Sequence, residues 1–141
     1  MKRLIRTGLT LGAAALLALP ALAHEVPAAP PAGFKKVSSL VALPDFLPGM
    51  GTLYVDPATL PAGPFLGYDH HGQLVQITYM LPLAKLNAHG GWHDLGTAVS
   101  GKAIDHTDIM FNPGHPGVSE PHYHVTQWLI PHAKEEPMVG H

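Results

Sequence analysis

Four of the eleven histidines in this 141-residue chain lie in the stretch Asp105–Ile130. His122 and His124 are two positions apart, and residues i and i+2 of a β-strand point to the same face, about 6.5–7 Å apart along the chain. Two imidazoles so placed can bind one metal ion, because Zn–N bonds are about 2.0–2.1 Å long. His106 and His115, which precede this pair, are the nearest sources of a further ligand. We therefore predict a site for a transition metal, zinc or copper, or for another small ligand, formed by His106, His115, His122 and His124.

Two carboxylates could assist this site, and the histidines also have an interpretation that involves no metal. Glu120 would share a face with His122, where it could supply an oxygen ligand or orient an imidazole, and Asp108 is an alternative. If 102–112 and 119–130 pair as a hairpin, we expect His106 opposite Thr126 or His124. The histidines could instead fill polar positions on a half-buried sheet without a metal, because adjacency arises by chance among so many histidines.

The motifs of common enzymes are absent, and this favours a binding protein over an enzyme. The chain has no cysteine, no serine in a Gly-x-Ser-x-Gly motif and no glycine-rich phosphate loop. Asp105 and Asp108 are three residues apart and would face opposite sides of a strand, which is poor geometry for the carboxylate pair of a glycosidase. The enzymatic alternative is a metal-dependent hydrolase or oxidoreductase that activates water, with Glu120 or Asp108 as general base.

The N-terminus has the pattern of a secretory signal peptide at residues 1–23. Three basic residues precede the apolar run Leu9–Leu19, and Ala21-Leu22-Ala23 places small residues before the cleavage site. The run is shorter than the roughly 20 residues of a membrane-spanning helix. We expect a periplasmic or secreted protein. Cleavage would expose His24, whose amine and imidazole could chelate copper, or which could simply begin a disordered tail.

The composition excludes some partners. Once residues 1–23 are removed, five lysines, ten acidic residues and no arginine remain, a formal charge of −5. Nucleic acids and anionic membranes require clustered cations, so we expect neither as a partner. A secreted chain without cysteine must be stabilised by its core, a metal or self-association. The few charged residues favour self-association, and the third hypothesis is a structural or self-assembling envelope protein that binds no metal.

Short apolar runs separated by Gly and Pro indicate a mainly β fold. After an Ala/Pro-rich linker at 24–33, we predict one domain at 34–132, an antiparallel β-sandwich or barrel, and a fraying tail at 133–141. Strands are expected at 52–55, 73–80, 102–112 and 119–130, with at most an edge strand at 60–67. In the run 73–80, Val75 would share a face with Ile77 and Tyr79, and Leu74 would share the other with Met80. One short helix is expected near 82–88.

Two segments together resemble an uncharacterised family of small exported bacterial β-proteins. The segment from Gly101 reads GxxxDHTDIMFNPGHPG and is followed by EPHYHVTQWLI, while GPFLGYDHHGQLVQITYMLPL is similar to the first half of the family. The family hallmark is a Gly-His-Pro turn followed by Pro-His-aromatic-Asp-x-His. The positions that match it are His106, His115, Pro121, His122 and Tyr123.

The resemblance spans about Gly49 to Pro131. It implies a compact, secreted, mainly β domain capable of self-assembly, and it implies no agreed activity. The chain departs from the pattern twice, because His124 replaces the family's Asp and Thr126 replaces its second His. A family site made of Asp and two His would therefore be either rebuilt around His124 or lost.

Overall fold

The computed structural model describes residues 29–96 and 101–140, which form one six-stranded antiparallel sheet. The predicted signal peptide, His24 and residues 25–28 of the predicted linker lie outside the described residues. The strand order is β1-β2-β3-β4-β6-β5. The elements are β1 (Lys35–Lys36), β2 (Thr52–Val55), β3 (Phe65–Tyr68), β4 (Leu74–Pro82), helix α1 (Leu83–Asn87), β5 (His106–Asn112), β6 (His122–Trp128) and helix α2 (Glu135–Val139).

The sheet is open, so the predicted mainly β fold is confirmed but the sandwich or barrel is wrong. β1 and β5 are its two edges, and the described residues contain no second sheet. The segment between β1 and β2 covers one face instead, with a 3-10 turn at Val37–Ser39 and irregular chain after it. Pro44 and Pro48 lie in this segment, and because proline has no N–H to donate they oppose its pairing as a strand.

β3 was expected to be at most an edge strand, and this expectation is wrong. β3 lies between β2 and β4, and all four of its residues are buried. The prolines responsible for the expectation, Pro61 and Pro64, precede the strand. They therefore remove no hydrogen-bond donor from its ladders.

Strand β4 is buried on both faces, and a bulge changes which of its residues share a face. The pairing with β3 shifts by one residue between Gly67 and Tyr68, because Gly67 pairs with Gln76 and Tyr68 with Leu74. Val75 is the extra residue. Such a bulge reverses the alternation beyond it, so Leu74 packs in one cluster with Ile77 and Tyr79, while Val75 packs with Trp128, Ile130 and Val139. The predicted facing of Leu74 and Val75 is therefore wrong.

The two helices lie after β4 and at the C-terminal end. The helix predicted near 82–88 is confirmed as α1, which follows Pro82. The tail was predicted to fray. Instead α2 ends it, with Val139 only 1% exposed against Val75 and Trp128. Neither α1 nor α2, nor any other helix within residues 29–96 and 101–140, has the length and apolar character required to span a membrane.

Candidate metal centre

Strand β6, which lies between β4 and the edge strand β5, carries the His-x-His pair on one face of the sheet. His122 is opposite Pro82 of β4 and Asn112 of β5, and His124 is opposite Met80 and Met110. The strand alternation directs both imidazoles to the face that the irregular segment covers. His122 is fully buried, and His124 is half-buried.

A tight turn brings a third histidine to the pair. The Asn112 side chain accepts a hydrogen bond from Gly114 N, and His115 and Val118 exchange two backbone hydrogen bonds. Gly114 has φ of 128°, a backbone conformation that favours glycine. This turn places the His115 ring 4.9 Å from the ring of His122 and 5.5 Å from that of His124, centroid to centroid.

Backbone carbonyls fix the orientation of two of the three rings. His122 Nδ1 lies 2.7 Å from the Glu120 carbonyl oxygen, and His115 Nδ1 lies 3.0 Å from that of Pro116. In the neutral rings Nδ1 therefore carries the proton and donates it, and Nε2 keeps its lone pair. A metal-binding histidine usually has this second-shell bond, which selects the tautomer and raises the basicity of the ligand.

Three ring nitrogens, one from each histidine, lie close together. One ring nitrogen of each histidine lies within 4.8 Å of the others, and His122 Nε2 lies 3.0 Å from His124 Nε2. Two nitrogens bound tetrahedrally to zinc are about 3.3 Å apart, given Zn–N bonds of about 2.0–2.1 Å. The separation of the His122 and His124 nitrogens would need to widen by a few tenths of an ångström to bind one ion, and a nitrogen of His115 at the upper limit of 4.8 Å would need to approach by about 1.5 Å.

The cluster favours neutral imidazole, which is the form that binds metals. Burial, and after it charge repulsion from the neighbouring rings of His122 and His115, lower the pKa of His124 to about 4. His124 is therefore neutral at physiological pH. Because Nε2 of His122 keeps its lone pair, Nε2 of His124 donates the hydrogen bond between them, and an ion bound at this nitrogen would displace that proton.

An apolar cavity of about 320 Å³ opens beside the cluster. It lies between the sheet and the irregular segment, and His115 and His124 form part of its wall. Most of the remaining lining is aliphatic, and the lining that residues 29–96 and 101–140 supply includes no carboxylate and no lysine. The histidine cluster is thus accessible from a mainly apolar chamber.

Comparison with solved structures shows that this chain is similar to a protein of known structure. The crystal structure of the hypothetical protein TTHB210 from Thermus thermophilus matches this chain with 48% sequence identity and a TM-score of 0.63, over 70% of this chain and 89% of that one. This chain belongs to the same family as TTHB210. No family model and no curated protein matches it. The match supports the expected membership of an uncharacterised family, and the family signature and export stay predictions.

Of the four predicted metal ligands, the structure brings three together in this member of the TTHB210 family. His106 was expected opposite Thr126 or His124, and that expectation is wrong: it lies opposite Trp128. The partner of His124 on β5 is Met110, four residues from His106. At 3.3 Å per residue, His106 and Met110 are about 13 Å apart along the strand. The register therefore removes His106 from the cluster.

His106 belongs instead to a second group of charged residues. Its Nε2 lies 2.9 Å from Glu135 Oε1, at an angle outside the hydrogen-bond range, and its Nδ1 lies 3.0 Å from Asp105 Oδ1. His132 Nδ1 lies 2.8 Å from the same Glu135 oxygen. His106, His132 and Glu135 could also hold an ion, but both nitrogens already contact one carboxylate oxygen and the His132 side chain is 87% exposed. The group acts as an ion-pair network that joins α2 to β5.

The two carboxylates predicted to assist the metal lie elsewhere. Glu120 contributes its backbone carbonyl to His122, and the residue itself is exposed. Asp108 accepts a hydrogen bond of 2.9 Å from the indole N–H of Trp128. Sequence reasoning missed the cavity. It also missed His132 and Glu135 as partners of His106, because Glu135 was assigned to the tail and His132 to the last position of the domain.

Proposed function

We propose that this chain is an exported protein that binds one transition-metal ion through His115, His122 and His124. The observation that carries the proposal is the convergence of three ring nitrogens within 4.8 Å, two of them on rings oriented by backbone carbonyls. Imidazole ligands suit zinc and copper, and three of them leave a position open on a four-coordinate ion. The protein would then store or buffer the metal outside the cytoplasm.

The surroundings of the cluster favour binding over hydrolysis. A metal-dependent hydrolase requires a base close to the metal-bound water. Asp108 is hydrogen-bonded to Trp128 and Glu120 is exposed, and the described lining of the cavity supplies no other carboxylate. Metal binding without turnover is therefore the function that this geometry supports best.

The test is the metal content of the chain, purified from the periplasm without a histidine tag. We expect about one equivalent of zinc or copper, and we expect His122→Asn/His124→Asn to lose it. The matched control is His71→Asn/His89→Asn, which removes two exposed histidines and should keep the metal. His106→Gln shows whether any ion resides in the second group. Equal metal content in all four proteins would contradict the proposal, as would no metal in any of them after zinc or copper is added.

Self-association is the second candidate, and one surface favours it. The edge strand β5 exposes three consecutive apolar side chains, with Ile109 67%, Met110 66% and Phe111 54% exposed. An unpaired apolar edge is a template for pairing with another chain. We propose that copies of this chain associate through β5. Sedimentation should show a larger particle for the wild type than for Ile109→Lys/Phe111→Lys. Leu86→Lys, at an exposed site on α1, is the control, and equal sizes for all three would contradict the idea.

A further inference from the structure

The apolar cavity has one polar end, and that end is the histidine cluster. Among the polar groups in its wall, Thr78 is hydrogen-bonded to Thr126 and Gln76, and the Asn112 side-chain oxygen accepts from Gly114 N. The Nδ1 of His115 contacts the Pro116 carbonyl. The remaining wall is apolar, with Val41, Leu47, Met50, Leu53, Phe65 and Val118 among its residues. Apart from the side-chain nitrogen of Asn112, the polar side-chain groups that this wall offers to a molecule in the cavity are therefore the imidazoles of His115 and His124, and Nε2 of His124 is hydrogen-bonded to Nε2 of His122.

A metal in this cluster would need a negative charge that the protein does not supply. Three neutral imidazoles leave a divalent ion with its full charge of +2, and burial of a charge beside apolar walls is costly unless it is compensated. The described lining contains neither Asp nor Glu. Compensation must then come from an anionic ligand that enters the cavity.

The shape and chemistry of the walls restrict that anion. Water or a small inorganic ion would leave the aliphatic walls without contacts, whereas a hydrocarbon tail would fill them. A volume of about 320 Å³ holds roughly ten heavy atoms, at the ~30 Å³ that one water occupies in the liquid. Ligand sites of this kind are mainly apolar, with few polar groups that fix the orientation of the ligand.

We propose that the cavity binds a medium-chain aliphatic carboxylate, with the tail against the apolar walls and the carboxylate on the metal held by His115, His122 and His124. This proposal rests on the proposed metal binding. Octanoate, with about ten heavy atoms, matches the cavity in size. A carboxylate also suits zinc, which accepts oxygen ligands at about 2.0–2.2 Å.

The experiment is calorimetric titration of the zinc-loaded and zinc-free full chain with acetate, butyrate and octanoate. With zinc bound, the affinity for the carboxylate should rise with the length of its chain. Octanoate should bind at least about tenfold more tightly than acetate, with a negative heat-capacity change. Octanoate should bind the zinc-free chain at least about tenfold more weakly, because the carboxylate then loses its partner.

A cavity-filling variant tests the location. Val41→Phe adds bulk on the covering segment and should weaken octanoate binding by about tenfold or more, with zinc content as the check that the cluster is intact. Leu86→Phe, on the exposed face of α1, is the control and should bind octanoate as the wild type does. The chain-length series on the wild type decides the question even if Val41→Phe does not fold.

The outcomes separate the two proposals. If the chain binds zinc but acetate and octanoate bind alike, the ligand inference is wrong and the metal site stands. If octanoate binds equally well with and without zinc, the assignment of the carboxylate to the metal is wrong. If zinc does not bind, the proposed function fails and the ligand inference fails with it.

Discussion

Replacement of Gln76 by leucine tests whether the covering segment is held on the sheet by a buried polar contact. Gln76 is 1% exposed. Its side-chain nitrogen donates to the Met50 carbonyl at 2.6 Å, and its oxygen accepts from Thr78 Oγ1 at 3.2 Å. Met50 belongs to the segment between β1 and β2 and lines the cavity. The amide of Gln76 therefore connects β4 to the covering segment between β1 and β2, across 26 residues of sequence.

The size of the effect follows from these bonds. Gln76→Leu keeps most of the volume but leaves the Met50 carbonyl without this donor, and an unsatisfied buried group costs about 1–3 kcal/mol. Thr78 Oγ1 still has Thr126 Oγ1 as a partner at 3.0 Å, so the loss of its hydrogen bond to Gln76 adds little to the cost. We expect the free energy of unfolding to fall by about 1–3 kcal/mol, which corresponds to a melting temperature lower by roughly 4–12 °C at about 4 °C per kcal/mol.

Urea unfolding followed by the fluorescence of buried Trp128 measures the effect. Gln73→Leu is the control, because Gln73 is exposed in the β3–β4 turn and its replacement should change the free energy of unfolding by less than about 0.5 kcal/mol. Gly67→Ala should also destabilise the fold, since a methyl group there would lie 2.5 Å from Gln76 Cγ and 2.6 Å from the Met50 carbonyl oxygen. If Gln76→Leu unfolds at the same urea concentration as Gln73→Leu, this view of the cover is refuted.

Two further predictions concern the C-terminal helix. Val139→Ala should lower the free energy of unfolding by about 1.5–3 kcal/mol, because it removes two buried methyl groups; an unchanged urea midpoint would show that α2 is not part of the core. His106 should stabilise the fold more in acid than in base, because its hydrogen bond to Asp105, and then the charge of Glu135, raise its pKa above 6.5. This contribution is fully present below the unfolded-state pKa of 6.5 and is lost as pH rises through the raised pKa of the folded state. His106→Gln should therefore reduce the melting temperature more at about pH 5.5 than at about pH 8.5, and a reduction independent of pH would exclude the ion pair as its cause.

The histidine cluster was predictable where local geometry determines it. His122 and His124 share a face because side chains alternate in any strand, and the Gly-Pro turn keeps His115 beside the same hairpin. The position of His106 depends on the register, in which Asn112 is opposite His122. A nine-residue connection separates these two partners, and its length and shape, with a small inner turn at His115–Val118, set that register. The hydrophobic periodicity of the two strands does not by itself predict this register.

Long-range contacts account for the other differences from the sequence-based prediction. The bulge at Val75 depends on the partner strand, and a single shift reverses the facing of Leu74 and Val75. The cover depends on the bond from Gln76 to Met50, and α2 depends on Val139 reaching Trp128. Such contacts leave no pattern in the short windows from which strands and helices are predicted, so the cavity between sheet and cover was not foreseen.

The central claim is that one ion is held by His115, His122 and His124, and anomalous diffraction at the zinc edge from crystals of the zinc-loaded protein tests it most directly. We predict one peak about 2.0–2.1 Å from a ring nitrogen of each of the three histidines, and its loss in His122→Asn/His124→Asn. A peak confined to the group formed by His106, His132 and Glu135, or no peak between the three rings at full zinc loading, would contradict the account.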